Sequence, residues 1–143
     1  MIRITQDPLV GVEIVVACCG KDVITHWLKR RYGIKADGER DVSGYCDHYT
    51  RKNGGELIVV WIDSVDWDES EGPSTIAHEV FHLFSDLLSI MYGTDKVTVD
   101  TSHDEEQAYL FDRLHHLVWD VVRKTTGTKP SDSAKPQAGT VEA

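Results

Sequence analysis

The chain has 143 residues, which is enough for one domain with a hydrophobic core and too few for two. Its formal net charge of −9 argues against nucleic-acid binding, because no cluster of Lys and Arg outweighs the acidic side chains. No apolar run approaches the length that spans a bilayer, and three cysteines, two of them adjacent, do not suggest a disulfide framework. We therefore expect a cytoplasmic protein without a nucleic-acid or membrane partner.

The first elements in chain order are a strand and a helix. Residues 12–18 are rich in β-branched side chains, which favour a strand. A helical stretch then opens at Lys21 or Asp22, and Gly33 ends it.

The middle of the chain is polar. Residues 35–53 show little periodicity, so we predict a loop there with room for one short strand near Tyr45. Residues 46–48 (Cys-Asp-His) include metal-binding types, yet no matching second pair accompanies them, and we predict loop for them too. The Asn-Gly-Gly sequence at residues 53–55 predicts a turn, and the apolar residues 56–62 after it predict the clearest strand of the chain.

Two amphipathic helices are predicted next, from about Ser74 to Met91 and from about Ser102 to Lys124. Residues 125–143 contain almost no large apolar groups, so we predict a disordered tail after a single domain of residues 1–124. The apolar positions at helical spacing are Ala77, Val80, Phe81, Phe84, Leu87, Leu88 and Met91 in the first helix, and Ala108, Phe111, Leu114, Val118, Val121 and Val122 in the second.

The first of these helices carries two histidines four residues apart, His78 and His82, and Glu79 directly follows the first. Side chains at i and i+4 stack on one helix face, so two imidazoles placed in this way can bind a single Zn²⁺. The glutamate between them can act on the water that a zinc hydrolase activates. The pattern therefore predicts zinc-dependent hydrolysis, with peptide bonds as the favoured target.

Zinc in a hydrolase usually takes three protein ligands, so the chain must supply a third. A third histidine six residues after His82 is excluded, because Leu88 occupies that position. The remaining common solution is a carboxylate from the following helix, which opens with the acidic residues 104–106.

Helical phase, at about 100° per residue, separates these three carboxylates. Glu105 and Tyr109 lie off the apolar stripe of their helix, whereas Asp104 points toward the stripe and Glu106 lies at its edge. We therefore prefer Glu105 as the third ligand and keep Asp104 and Glu106 as alternatives. Glu105 also matches a capping box with Ser102, in which it would only close the helix start. Tyr109 is a candidate to stabilise an oxyanion, with simple packing as the alternative.

These motifs resemble those of a known group of proteins. The pattern A-H-E-x-x-H at residues 77–82, followed by D-E-x-x-A-Y-L at residues 104–110, resembles the small gluzincin-type metallopeptidase-like proteins encoded by bacteriophages and prophages. The resemblance covers roughly residues 56–122. It implies an α+β, zincin-like fold, in which a small twisted sheet from residues 2–18 and 56–62 packs against three helices.

The resemblance also implies roles for individual residues. His78, His82 and Glu105 would bind zinc, and Glu79 would be the general base. Residues 57–62 would form the edge strand that pairs with an extended peptide or protein substrate. If the chain is encoded by a phage, we expect it in the cytoplasm of the host cell. The alternative function is a zinc-stabilised phage accessory or protein-binding domain without turnover.

Overall fold

The computed structural model describes residues 1–7, 11–37, 40–93 and 104–128. They confirm the predicted α+β class, with one mixed sheet of four strands and three helices. No helix in this part of the chain is long and apolar enough to cross a membrane. In chain order the elements are β1 (Ile2–Gln6), β2 (Glu13–Cys19), α1 (Lys21–Tyr32), β3 (Gly44–Thr50), β4 (Glu56–Asp63), α2 (Gly72–Tyr92) and α3 (Asp104–Thr126).

Strand β4 lies inside the sheet, whose order is β1-β2-β4-β3. It pairs in parallel with β2 on one side and antiparallel with β3 on the other. Residues 57–62 are each at most 1% exposed, because the sheet is covered on both faces and such strands are apolar on both sides. The prediction that residues 57–62 form a substrate-binding edge strand is therefore wrong, since both sides of β4 are already paired.

The edge next to β4 is β3, a seven-residue strand where we predicted mostly loop. The short strand expected near Tyr45 is confirmed, and it extends over residues 46–48, for which the loop prediction is wrong. The predicted turn at residues 53–55 is present, with Gly54 at a φ of 84°. This turn folds the polar segment back against β4. The buried backbone N–H and C=O groups of β4 need hydrogen-bond partners, and a polar strand can supply them as well as an apolar one.

The helices are divided between the two faces of the sheet. Helix α1 packs on one face and ends at Gly33, as predicted, with that glycine at a φ of 69°. Helices α2 and α3 pack on the other face and form the larger core with the alternate side chains of β2 and β4. Helix α3 reaches Thr126, two residues past the predicted domain end, and residues 129–143 of the predicted tail lie outside the described residues.

The buried face of α2 differs in part from the predicted stripe. Ile76 and Leu83 are fully buried, whereas Phe81 is 59% exposed and Met91 is 38% exposed. The helix packs on the sheet and on α3 at once, and the buried arc is therefore centred on Val80 and its neighbours. Two predicted core alanines, Ala77 and Ala108, are also exposed.

A row of aromatic rings joins α2 to α3. Phe84 packs edge-on against Phe111 with ring centroids 5.4 Å apart, and His115 stacks on Phe111 at 6.2 Å. Trp119 donates a hydrogen bond from Nε1 to His115 Nε2 at 3.2 Å and meets Trp67, just before α2, at 6.3 Å. The start of α2 therefore lies beside the end of α3, and the two helices run antiparallel.

Gly44 allows β3 and α2 to approach each other closely. A Cβ atom at this position would lie 2.9 Å from the carbonyl oxygen of Trp61 and 3.0 Å from Cγ2 of Thr75. We expect Gly44→Ala to lower the free energy of unfolding by about 1–3 kcal/mol, because backbone must move to make room. Gly20→Ala is the control, since its Cβ would meet only Val65 at an ordinary 3.5 Å. Equal denaturation midpoints for Gly44→Ala and the wild type would contradict this account.

The hydrogen bond from Trp119 to His115 predicts a pH-dependent stability. Burial, together with the nearby His116, lowers the pKa of His115. Protonation of His115 therefore favours the unfolded chain. The free energy of unfolding is highest above the unfolded pKa of about 6.5 and declines as the pH falls through that value. We expect His115→Gln to reduce the loss of stability between neutral and mildly acidic pH, measured by denaturant titration. His26→Gln, at an exposed position of α1, is the control, and equal pH dependence in both variants would refute the prediction.

Candidate metal and catalytic site

His78 and His82 lie together on the exposed face of α2, as their helical phase predicted. Their Nε2 atoms are 3.1 Å apart, and their rings meet edge-on with centroids 4.7 Å apart. Two zinc–nitrogen bonds of tetrahedral geometry hold their nitrogen atoms about 3.3 Å apart. The separation of the two nitrogen atoms is therefore close to that of two ligands of one zinc ion.

Glu79 turns away from solvent, toward β3, and is only 6% exposed. Burial raises the pKa of its carboxyl group, and Asp47 raises it further, whereas His78, His82 and Arg40 lower it. A carboxylate of raised pKa beside a candidate zinc position has the basicity that a general base needs. Helical geometry accounts for the arrangement, because a residue adjacent to His78 projects about 100° around the helix from it.

An open cleft of about 370 Å³ borders His78 and Glu79. Its other walls come from the start of β3, with Ser43 and Gly44, and from the first turn of α2. Gly44 and Thr75, which approach each other closely, both line the cleft. A substrate lying along β3 would therefore pass directly beside Glu79.

Two further polar side chains of this region were given no functional role from the sequence. The Cys46 thiol on β3 donates to Oδ2 of Asp86 on α2, at 3.8 Å. Burial raises the pKa of both groups, so the thiol stays protonated and able to donate. Asp86 follows His82 by four residues, and that spacing was the available signal, although its partner on β3 lies 40 residues away in the chain.

Asp47, on the same strand, makes a two-pronged ion pair with Arg40, with N–O distances of 3.1 and 3.2 Å. The guanidinium carbon of Arg40 also lies 4.9 Å from the ring centroid of Tyr45. The charge of Asp47 is therefore balanced within β3 and its flanking loop.

The predicted residues of α3 lie at the protein surface. Glu105 is exposed and Tyr109 is 72% exposed, in agreement with their predicted position off the apolar stripe. Glu106, which was predicted at the edge of the stripe, is exposed as well. Glu105 precedes Phe111 by six residues, or about 9 Å of helix, and Phe111 packs against Phe84. Because the helices are antiparallel, this displacement is toward the end of α2 and away from His82.

Of the predicted site residues, the structure brings together His78, Glu79 and His82. Within residues 1–7, 11–37, 40–93 and 104–128, no group of three or more His, Cys, Asp or Glu side chains is arranged to hold a metal ion. The side chain of Asp104, one of the alternative ligands, lies outside this description, as does Ser102 of the predicted capping box.

Comparison with protein-family models, curated proteins and solved structures gave no match.

The histidine pair predicts zinc binding that depends on both rings. We expect His78→Asn and His82→Asn each to abolish stoichiometric zinc binding, because one imidazole cannot replace two converging ligands. Zinc binding is measured by metal analysis after dialysis and by competition with a chromophoric chelator. His116→Asn changes an exposed histidine on α3 and should bind zinc as the wild type does. Zinc retained at full affinity in both pair variants would exclude this site.

Proposed function

We propose that the chain is a zinc-dependent metallopeptidase-like hydrolase that cleaves a peptide bond, with a zincin-like arrangement of strand and helix. The observation that carries this proposal is the converging pair of His78 and His82, 3.1 Å apart, with the buried Glu79 between them in sequence. A site that only stabilises the fold needs no base in that position. Glu79 lies at a cleft, where a substrate can reach it.

The residues take distinct roles in this proposal. His78 and His82 would hold the zinc, which when bound would act as a Lewis acid on a water molecule and on the scissile carbonyl. Glu79 accepts the proton of the attacking water and passes it to the leaving amine. Glu79 is buried beside β3 and is also one of the residues that line the cleft.

Glu105 stays the proposed third ligand and Tyr109 the proposed oxyanion donor. Both lie on the exposed face of α3, and the described positions leave Glu105 nearer to the end of α2 than to His82. Their participation therefore requires the start of α3 to close toward His82 when zinc binds. Zinc affinity of Glu105→Gln, compared with Glu106→Gln, distinguishes the two carboxylates.

Strand β3 replaces β4 as the proposed substrate-binding strand. It is an edge strand of the sheet. It runs beside α2 in the same direction, since Gly44 lies near Thr75 and Cys46 is hydrogen-bonded to Asp86. The free side of an edge strand presents unpaired N–H and C=O groups that an extended peptide can satisfy. This mode of binding favours unfolded or flexible segments as substrates.

The base assignment is tested by Glu79→Gln. We expect this variant to bind zinc as the wild type does and to lose peptide hydrolysis by about 10²–10⁴-fold, because an amide cannot accept the proton. The probe is a mixed-sequence decapeptide library, with cleavage products identified by mass spectrometry.

Asp86→Asn is the matched control, since it changes a half-buried carboxylate of the same helix that is given no part in proton transfer. Full activity of Glu79→Gln would overturn the base assignment, and loss of zinc from it would give Glu79 a role in metal binding instead.

A second candidate is a zinc-stabilised accessory or protein-binding domain without turnover. It is favoured by the finding that the described residues bring only two of the proposed zinc ligands together. In this case the wild type would gain thermal stability on adding zinc while leaving the peptide library uncut.

A further inference from the structure

Helix α1 presents a continuous stripe of side chains to solvent. The stripe borders a groove of about 840 Å³, and its members are Asp22, Val23, His26, Trp27, Arg30 and Arg31. Val23 is 54% exposed, and Trp27 is partly exposed. On the other side of α1, Ile24 and Leu28 are fully buried, so α1 is anchored to the sheet and the stripe faces outward.

The charges on this face are separated along the helix axis. Asp22 lies in the first turn of α1, and Lys29, Arg30 and Arg31 lie in the last turn. The acidic end is reinforced by Asp63 at the end of β4 and Asp66 in the loop after it. Both line a second cleft together with Asp22, Asp41 and one basic residue, Lys21.

At the basic end, Glu13 accepts a hydrogen bond from Tyr32 and pairs with Arg51. Within the described ranges of the chain, neither Arg30 nor Arg31 forms an ion pair with a carboxylate. Arg31 instead lies over the ring of Tyr32, 5.9 Å from its centroid. A partner that supplies negative charge at this end and positive charge at the other would complement the whole stripe.

We propose that this stripe is a self-complementary dimer interface, in which α1 packs antiparallel against α1 of a second copy of the chain. A two-fold axis near His26 and Trp27 places Asp22 of each chain opposite Arg31 of the other and brings Val23 opposite Arg30. His26 and Trp27 occupy the centre, Val23 lies beside an arginine of the other chain, and the pairs of Asp22 with Arg31 form the two ends. The chain as a whole carries a net charge of −9, so this arrangement lets two acidic molecules meet where their local charges attract.

The size of the stripe sets the strength of the dimer. A helix of 12 residues is about 18 Å long, which limits the interface to less than the roughly 800 Å² per partner of a stable complex. We therefore expect a weak dimer, populated at chain concentrations on the order of 100 µM. Its charge pairs are exposed, so salt screens them.

Sedimentation velocity of the full chain tests the proposal. We expect dimers at about 0.01 M salt and monomers at about 1 M. Asp22→Arg alone and Arg31→Asp alone should both give monomers, because each places like charges opposite each other. The double variant Asp22→Arg/Arg31→Asp should dimerise again, since it restores opposite charges between the chains.

The double variant also separates this interface from a local role of the charges. Asp22 and Arg31 suit the dipole of their own helix, and exchanging them weakens α1, so restored dimers cannot result from a more stable helix. Val23→Ser should weaken dimerisation without changing any charge, and far-UV circular dichroism verifies folding of every variant. Asp112→Arg, at an exposed position of α3, should dimerise as the wild type does. The proposal is overturned by a wild type that stays monomeric throughout, by dimers that persist in both single variants, or by a double variant that stays monomeric.

Discussion

The position of α2 against the sheet is the constraint on which the rest of the site depends. Ile76, Val80, Leu83 and Leu87 are almost completely buried against β2, β4 and α3, and burying each such side chain contributes about 1.5–3 kcal/mol. These contacts fix the rotation of α2 about its own axis. With that rotation set, His78 and His82 must face solvent and Glu79 must face β3, because their angles around the helix relative to Val80 are not adjustable.

The local features of this arrangement could be predicted from the sequence. The exposure of His78 and His82, and that of Glu105 and Tyr109, follow from helical periodicity, which is a property of neighbouring residues. The end of α1 at Gly33 and the turn around Gly54 are likewise local, because each glycine adopts a positive φ.

The features that could not be predicted depend on which segments meet in space. The apolar residues 57–62 would suit an edge strand covered on one side as well as an inner strand, and only the sheet order decides between them. Strand β3 is polar with irregular alternation, and it forms because β4 requires a second hydrogen-bonding partner. The contact between Cys46 and Asp86 depends on the packing of β3 against α2, and the periodicity of the sequence does not indicate which elements pack together.

The parallel pairing of β2 with β4 has a consequence for the order in which the molecule is built. Glu13 lies opposite Leu57, 44 residues away in sequence, and the intervening chain must be closed into a loop before that pairing stabilises anything. The β3–β4 hairpin and the single helices can form from nearby residues, but they gain a common core only after this closure. During synthesis, the cleft beside Glu79 can therefore come into existence only after β4 and α2 have both left the ribosome, so the proposed activity would be withheld from the growing chain.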